Sequence, residues 1–250
     1  MITRENKTPD TIICGRHPII DAVQAGTPIH RILFQEGLRG EFEKEIRHLC
    51  RDYNVPLQVV PKERLSKFVK GNHQGIVGFI SLAPFVSIED VLPALYERDT
   101  APLLLILDGI TDVRNFGAIA RSAEISGVGA LIQPSKGSAH INEESLKTSA
   151  GALTRIPVCR ESSLVTTVEF LQNSGVQVIA SDLMGKKKVF EVDFTLPTAI
   201  VLGSEGEGVS EGVLRKVNER FIIPQIGTTD SFNVSVAAGI ILYESMRQRL

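Results

Sequence analysis

Four short polar segments interrupt the apolar pattern of the chain, and they hold the residue types that could do chemistry. Residues 203–208 are an acidic glycine-rich stretch, residues 223–224 are Ile-Pro, and residues 231–235 read Ser-Phe-Asn-Val-Ser. Residues 115–121 lie upstream and run from an asparagine to an arginine. Polar residues and glycines that break a core pattern are tolerated mainly at functional sites. We therefore expect these segments to form a binding or catalytic site.

The spacing of the glycine-rich segment excludes a phosphate-binding loop. It reads Gly-x-x-Gly-x-Gly, which is neither the dinucleotide fingerprint nor the P-loop, and no Lys-Ser/Thr pair follows. Glu205 and Glu207 lie inside the segment and would repel phosphate. The segment favours a phosphate-free ligand, best a cationic one, held by backbone amides and carbonyls. The alternative is a structural glycine turn before a helix capped near Ser210.

The other polar residues each have a chemical and a structural interpretation. Arg121 offers a planar fork suited to phosphate or carboxylate, or it is a solvated helix residue. Asn115 lies about a turn and a half before Arg121, and its structural interpretation is a helix N-cap. Ser231 and Asn233 lie at the start of the last predicted helix, where capping residues are expected. The Ala-Ala-Gly stretch at residues 237–239 predicts close packing of another backbone against that helix.

The elements that must position these residues follow an α/β pattern. Short, continuous apolar runs alternate with helical patterns, which predicts a parallel sheet with helices on both faces. In such sheets ligands bind beyond the carboxyl ends of the strands, so the polar segments should meet at one edge. The predicted strands are residues 103–107, 129–132, 156–158, 176–180, 199–202 and 220–223, and the predicted helices are residues 115–126, 143–151, 163–174, 209–217 and 233–249.

A smaller α/β domain is predicted over residues 1–82. Residues 83–100 carry two prolines and a net acidic charge, so they are predicted as a linker with a short helix at residues 88–96. Residues 101–250 form the second predicted domain. Within the first, the predicted helices are residues 18–24, 41–53 and 64–69, and the predicted strands are residues 29–34, 56–60 and 75–82.

Composition restricts the class of protein and its partners. The chain of 250 residues has 43% hydrophobic and 22% charged residues, which is typical of a soluble globular protein. Residues 1–82 hold 12 Lys/Arg against 9 Asp/Glu, a charge of +3, and residues 83–250 hold 15 against 20, a charge of −5. We expect no membrane segment and a cytoplasmic location. We also expect no disulfide framework and no metal site, because the 3 cysteines and 5 histidines show no ligand spacing.

Taken together and in this order, the polar segments resemble the SpoU (TrmH-like) family of RNA ribose 2′-O-methyltransferases in the SPOUT superfamily. The resemblance covers residues 103–250, and its three motifs match residues 108–121, 202–209 and 223–237. The first predicted domain is similar to the L30e-like substrate-binding domain of the branch that methylates a guanosine of 23S rRNA. Residues 15–18 and 73–77 carry that second likeness.

The resemblance implies a deep trefoil knot in the parallel-sheet domain, S-adenosylmethionine as cofactor, RNA as substrate and a homodimer formed through the C-terminal helix. It also assigns site residues. The family usually has leucine where this chain has Phe232, which puts the shape of the cofactor pocket in question. The implied catalytic and substrate-orienting residues are Asn115, Arg121, Glu205, Ser231 and Asn233, and the implied cofactor-binding residues are Leu202, Gly203, Gly208, Ile223 and Phe232.

The function implied is therefore methylation of a ribose 2′-hydroxyl, with a guanosine of 23S rRNA as the expected target. A tRNA 2′-O-methyltransferase of the same family is the first alternative. A non-catalytic RNA-binding or ribosome-assembly factor is the second. For Arg121, the resemblance allows a role as base or as phosphate clamp, and a guanidinium that stays protonated favours the clamp.

Overall fold

The computed structural model describes residues 12–250, which fold into two compact units, residues 12–84 and residues 85–250. The first eleven residues of the predicted N-terminal domain lie outside this described part. Each unit has its own sheet and its own core, as the sequence predicts for a chain with two α/β blocks.

The first unit is a four-stranded sheet with helices. Its strands lie in the order β1-β4-β2-β3, in which β2 and β3 are parallel and the other neighbours are antiparallel. Apolar side chains pack on both faces, with Ile32 and Phe34 on one side and Leu33 on the other. The elements are β1 (Ile12–Cys14), α1 (Arg16–Gln24), β2 (Ile29–Gln35), α2 (Glu41–Asp52), β3 (Leu57–Val60), α3 (Lys62–Ser66) and β4 (Ile76–Ile80).

The second unit is built on a seven-stranded sheet in which every pair of neighbours is parallel. The prediction of a parallel α/β sheet is confirmed. Its strands are β5 (Leu103–Asp108), β6 (Ala130–Pro134), β7 (Val158–Glu161), β8 (Gln177–Ser181), β9 (Lys187–Lys188), β10 (Thr198–Gly203) and β11 (Glu219–Ile222). Its helices are α4 (Ile88–Tyr96), α5 (Val113–Ile125), α6 (Glu143–Thr148), α7 (Leu164–Asn173), α8 (Glu211–Leu214) and α9 (Val234–Arg249).

The strand order, β7-β6-β5-β10-β8-β11-β9, places β10 between β5 and β8 at the middle of the sheet. Thr198 of β10 pairs with Leu103, and Gly203 at the other end of β10 pairs with Asp108 of β5. The glycine-rich segment therefore leaves the sheet beside the end of β5. The predicted trefoil knot stays a prediction.

Helix α4 belongs to the core of the second unit, which corrects the prediction of a linker over residues 83–100. Ile88, Leu92 and Leu95 are buried against strand residues such as Leu104 and Ile106. Gly129 also packs here, because a Cβ on it would lie 2.7 Å from the methyl carbons of Leu95. The prolines and acidic side chains of this segment suggested a connector, but its apolar residues form a buried helix face.

Several predicted boundaries differ from those observed. Helix α8 is a single turn although residues 209–217 were expected to be helical, and β7 starts at Val158, after Pro157, which cannot donate to the sheet. Strand β1 has three residues and β9 has two, too few to produce a periodic pattern. In β9, Lys187 pairs with Glu219 at 2.8 Å.

No helix among residues 12–250 is both long and apolar enough to span a bilayer.

Candidate active site

A cavity of about 590 Å³ lies where β8, β10 and β11 end. It is bordered by the loop that follows each of these strands, and it lies at the edge where the sequence places the polar segments. All five predicted cofactor residues line it, together with Glu205 and Ser231: they are Leu202, Gly203, Gly208, Ile223 and Phe232. Phe232 lines the cavity and is 41% exposed.

The glycine-rich loop closes on itself through its backbone. The N–H of Ser204 donates to the carbonyl of Gly208 at 3.1 Å, and the N–H of Gly208 donates back at 3.0 Å. A Cβ on Gly203 would lie 2.0 Å from the carbonyl carbon of Gly208, so no other residue fits there without moving the backbone. Gly206 and Gly208 have φ of +95° and +70°, which glycine adopts without strain. The loop therefore presents bare backbone to the cavity.

Asp108 fixes the far end of this loop. Its carboxylate accepts a hydrogen bond from the N–H of Ser210 at 2.8 Å, which ties the loop to the end of β5. Ser210 precedes α8, as the turn-before-helix interpretation predicts, but its side chain makes no capping hydrogen bond. The glycine-rich segment is therefore both a structural turn before α8 and part of the cavity wall.

Three side chains from distant parts of the chain meet at the loop, and we call them the Asn-Glu-Asn cluster: Asn115, Glu205 and Asn233. Nδ2 of Asn233 donates to Oε1 of Glu205 at 2.6 Å, and Nδ2 of Asn115 donates to the same oxygen at 3.1 Å. Asn233 Nδ2 also lies 3.1 Å from Oδ1 of Asn115. The backbone N–H of Val234 points at this oxygen from 3.5 Å. The carboxylate thus orients both amides.

Of the two asparagines in the cluster, Asn233 also caps a helix and Asn115 does not. Asp112 is the N-cap of α5 and accepts from the N–H groups of Arg114 at 2.8 Å and Asn115 at 2.9 Å. Asn115 is therefore not the cap, and its side chain is available to Glu205. Hydrogen bonds from the backbone of Asn115 and then of Arg114 hold the pKa of Asp112 below its usual value. Asn233 caps α9 through Oδ1, which accepts from Ser235.

Gly117 sets the position of α5. A Cβ on it would lie 2.7 Å from the carbonyl oxygen of Ser145 in α6, so the two helices approach at backbone distance. The close packing predicted for residues 237–239 is wrong at Gly239, where a Cβ would meet nothing within 4 Å. Ala238, next to it, is fully buried.

Arg121 is the one predicted catalytic residue that neither lines the cavity nor joins the Asn-Glu-Asn cluster. It is exposed on α5 and does not line the cavity, and its side chain makes no hydrogen bond or ion pair with any residue in the described range 12–250. Arg114, on the same helix, is instead paired with Glu144 at 2.6 Å. The guanidinium of Arg121 is therefore available to an anion arriving from solvent. Ser231 lies on the cavity rim and is exposed.

The charges around the cavity are all of one sign. None of the described lining residues is lysine, arginine or histidine, and four are carboxylates: Asp182, Glu205, Glu207 and Asp230. Apolar side chains such as Leu202, Ile223 and Val209 form the rest of the wall. Such a cavity suits a ligand with a flat apolar part and a positive charge, and it disfavours phosphate.

The loop after β8 also borders the cavity, although no motif in the sequence predicts it. Asp182, Leu183 and Met184 line the cavity, and Asp182 also pairs with Arg220 at 3.3 Å. The signal was present, because this loop too follows a parallel strand at its carboxyl end. It was overlooked because it contains no glycine motif or unusual spacing before Gly185.

No group of three or more His, Cys, Asp or Glu side chains within residues 12–250 is arranged to hold a metal ion. The expected absence of a metal stays a prediction.

This fold and site define an α/β protein whose parallel sheet carries a cation-accepting cavity at its strand ends. Two family models match the chain. The model of the SpoU rRNA methylase family matches residues 102–243, and the model described as RNA 2′-O ribose methyltransferase substrate binding matches residues 12–86.

Relatives and solved structures agree. A Staphylococcus aureus (strain MSSA476) protein assigned to the TrmH family of tRNA/rRNA methyltransferases is 34% identical over 240 residues, covering 96% of this chain and 97% of its own. The SpoU methyltransferase AviRb from Streptomyces viridochromogenes, solved with AdoMet, is 27% identical with a TM-score of 0.58, covering 95% and 90%. The A. aeolicus TrmH/SpoU tRNA modifying enzyme is 32% identical with a TM-score of 0.56, covering 65% and 84%.

The chain therefore belongs to the SpoU rRNA methylase family and is an RNA methyltransferase of that family. The small N-terminal unit is consistent with the substrate-binding model that matches it. Its likeness to L30e stays a prediction, as do the individual roles of the site residues.

Proposed function

We propose that the protein is an S-adenosylmethionine-dependent RNA ribose 2′-O-methyltransferase. The observation that carries this proposal is the acidic cavity, free of lysine, arginine and histidine side chains among its described lining residues, beside the Asn-Glu-Asn cluster. A cofactor without phosphate and with a positive sulfonium matches that lining, as AdoMet in the AviRb complex suggests.

The residues present fit the cofactor. Gly203 and Gly208 offer backbone groups with no side chain in the way, and Leu202, Ile223 and Phe232 offer apolar surface for an adenine ring. The carboxylates around the cavity attract the sulfonium. When bound, S-adenosylmethionine supplies an electrophilic methyl group.

The chain's own residues position the ribose and exclude water. Methyl transfer from a sulfonium neutralises charge, so orientation in a dry pocket contributes much of the rate. The Asn-Glu-Asn cluster presents two amides held in fixed orientation by the Glu205 carboxylate, and Ser231 adds a hydroxyl at the rim. These groups can hydrogen-bond the hydroxyls of the target ribose. The 2′-hydroxyl must also lose its proton as it attacks.

Arg121 acts in this proposal as a clamp on a phosphate of the substrate. Its guanidinium is exposed and has no carboxylate partner in the described residues, which suits bidentate binding of an incoming phosphate. A guanidinium stays protonated at neutral pH, so it is a poor base. Placed on the phosphate next to the target ribose, it fixes the nucleotide against the cavity.

A guanosine of 23S rRNA is the substrate we propose. The SpoU model describes rRNA methylases, and the model for a separate substrate-binding domain matches residues 12–86. tRNA is the second candidate, supported by the likeness to the A. aeolicus tRNA modifying enzyme. Both substrates belong in the cytoplasm, which is the location we propose.

We also propose that the protein works as a homodimer through α9, with the C-terminal chain threaded as a trefoil knot. Val236 and Tyr243 of α9 are 50% and 63% exposed, and Ile125 at the end of α5 is also exposed. Space beside Gly239 leaves room for a second helix to approach. An exposed apolar face of this kind is typical of an interface.

The test is to incubate the protein with labelled S-adenosylmethionine and with transcripts of 23S rRNA and of tRNAs, and then to map 2′-O-methyl groups. Methylation of a ribose in 23S rRNA is the expected result. Methylation of tRNA alone would select the second candidate. Cofactor binding by calorimetry without transfer to any RNA would contradict an enzymatic role, and methyl groups on a base would contradict the ribose.

A further inference from the structure

A second cavity lies entirely within the first unit, and we propose that it binds one unpaired nucleotide of the RNA substrate, with Arg16 and Lys62 on the phosphate. This inference rests on the proposed function, and it adds a recognition site that is separate from the cofactor cavity. Its volume is about 660 Å³, within the range of small-ligand sites.

The lining of this cavity is positive and polar. None of its described lining residues carries a carboxylate, whereas two carry a fixed positive charge: Arg16 and Lys62. The remaining polar side chains include the amides of Gln35, Asn72 and Gln74. Amides donate and accept hydrogen bonds, so they can match the edge of a nucleobase, and the cations can match a phosphate.

Arg16 is held in a pose that leaves its donors available. The guanidinium lies 4.3 Å from the centre of the Phe42 ring, and the backbone N–H of Arg16 donates to Oε1 of Gln74 at 3.1 Å. It makes no ion pair with the residues that the structure describes. A stacked guanidinium keeps its planar fork oriented, so less freedom is lost when it binds phosphate.

The turn at residues 72–75 has an unusual backbone conformation and is hydrogen-bonded. Gln74 has φ of +51°, which is uncommon for a residue with a side chain, and Gly75 has φ of +77°. Nδ1 of His73 accepts the N–H of Gly75 at 3.1 Å, and its Nε2 lies 3.3 Å from the hydroxyl of Ser66. A backbone held in an unfavourable region by its surroundings is a feature of binding sites.

This turn also aims an amide into the cavity. Oε1 of Gln74 is occupied by Arg16, which leaves its Nε2 group to donate to a ligand. The N–H of Gln74 is held by Oδ1 of Asn72 at 3.2 Å. Gly75 packs closely on Leu38, since a Cβ on Gly75 would collide with a methyl carbon of that side chain. The Gln74 amide is held beside Arg16 by the two hydrogen bonds.

The segment that begins at Lys62 carries further positive charge. Residues 62–70 contain four basic residues and only Glu63 as an acidic one: Lys62, Arg64, Lys67 and Lys70. None of the four forms an ion pair within the described part of the chain. A polyanion that passes along this segment gains from each cation, and one residue of it can enter the cavity.

The concave shape favours an unpaired nucleotide over a helix. In a duplex the base edges are paired and the phosphates lie on a convex surface, so a nucleotide cannot enter a cavity. An unpaired nucleotide can turn its base toward the amides while its phosphate meets Arg16 and Lys62. Single-stranded loops of structured RNA supply such nucleotides.

The test uses the full chain with Arg16 and Lys62 both changed, as R16Q/K62Q. Fluorescence anisotropy should show the affinity for a fluorescein-labelled single-stranded oligouridylate falling by about 10-fold or more. The slope of log affinity against log salt should decrease by about 0.7, since one phosphate contact on a single strand is lost. A labelled RNA duplex should show a much smaller change.

A matched control separates the cavity from general charge. The variant R47Q/R51Q removes two positive charges from the same unit at residues that do not line the cavity. It should bind oligouridylate within about 2-fold of the wild type. Equal losses in the two variants, or equal losses on single strand and duplex, would overturn the inference.

Cofactor binding by calorimetry keeps this test distinct from the proposed function. R16Q/K62Q should bind S-adenosylmethionine as the wild type does and should raise the KM for 23S rRNA more than it lowers kcat. A wild type that binds oligouridylate through Arg16 and Lys62 but transfers no methyl group would contradict the proposed enzyme and not the nucleotide site. Unchanged RNA affinity with normal methyl transfer would contradict the nucleotide site alone.

Discussion

The two cavities of this protein are similar in size and opposite in charge. The cavity of the second unit has a volume of about 590 Å³ and has four carboxylates, and that of the first unit has a volume of about 660 Å³ and has two cations. Neither mixes the two signs among its described lining residues. The difference indicates a division of binding between a cationic small molecule and a polyanion.

The cavities also differ in how their shape is held. The cavity of the second unit depends on backbone contact between Gly203 and Gly208 and on a hydrogen-bonded cluster that joins the glycine-rich loop to the starts of α5 and α9. The cavity of the first unit depends on one turn with an unusual backbone conformation and on a stacked arginine. Changes in the second unit's cavity should therefore weaken cofactor binding. Changes in the first unit's cavity should weaken RNA binding.

Gly203→Ala should have the largest effect, and only the cofactor cavity of the second unit should be affected. The new methyl carbon would lie 2.0 Å from the Gly208 backbone, so the loop must move. We expect affinity for S-adenosylmethionine and methyl transfer each to fall by more than about 100-fold, while oligouridylate binding is retained. Calorimetry measures the cofactor affinity, and fluorescence anisotropy measures the oligouridylate binding. Gly227→Ala is the control, because a Cβ there meets nothing within 4 Å. Equal damage from both would contradict the contact.

Arg121→Ala should sharpen the comparison by separating chemistry from binding. Since Arg121 does not line the acidic cavity, affinity for the cofactor should stay within about 2-fold, while methyl transfer falls by about 100-fold. Single-turnover assays on 23S rRNA measure the transfer. Arg114→Ala, which breaks the pair with Glu144 on the same helix, should leave the rate near normal. Unchanged turnover in Arg121→Ala would remove its proposed role.

Salt should act on one cavity far more than on the other. Raising salt from about 50 to about 200 mM should weaken oligouridylate binding roughly 20-fold, if about three phosphates are contacted. Binding of S-adenosylmethionine should change by no more than about 2-fold, since its cavity is small and partly enclosed by apolar groups. Titrations at several salt concentrations check this. Similar slopes for both ligands would break the comparison.

Asp112→Ala should have the smallest effect. Loss of the N-cap of α5 should lower the free energy of unfolding by about 1 kcal/mol, measured by urea denaturation, with Asp112→Asn as a capping control. The folded-state pKa of Asp112 is depressed, so its stabilisation is present above its unfolded-state pKa of about 4. It is lost as pH falls through the folded value. A difference from wild type that persists well below that pH would contradict the cap.

Most of the fold of the second unit could be predicted from its sequence. Buried strands such as β5 and β10 are continuous apolar runs, and helices such as α7 and α9 were placed within a residue or two. Short elements were missed because two or three residues carry no period. Helix α4 lies at its predicted residues 88–96, but its segment was predicted to be a linker because its burial depends on strands that lie far along the chain.

The candidate site could be predicted as a set of residues, but its geometry could not. The types and order of Asn115, Glu205 and Asn233 carry the family resemblance, yet nothing in their spacing shows that one carboxylate oxygen accepts from both amides. The pocket wall formed by Leu183 and Met184 also needs the folded sheet, since no motif marks it. The position of Arg121 away from the cavity is a property of the three-dimensional structure alone.

The central place of β10 has a consequence for synthesis of the protein. Residues 103–108 leave the ribosome long before their neighbours, residues 198–203, are made. During that interval β5 lacks β10, its neighbour on one side. On its other side β5 can pair with β6, and β6 can pair with β7. The sheet can close only after most of the chain has been translated, so a nascent chain paused before residue 198 exposes an open apolar strand edge that chaperones can bind.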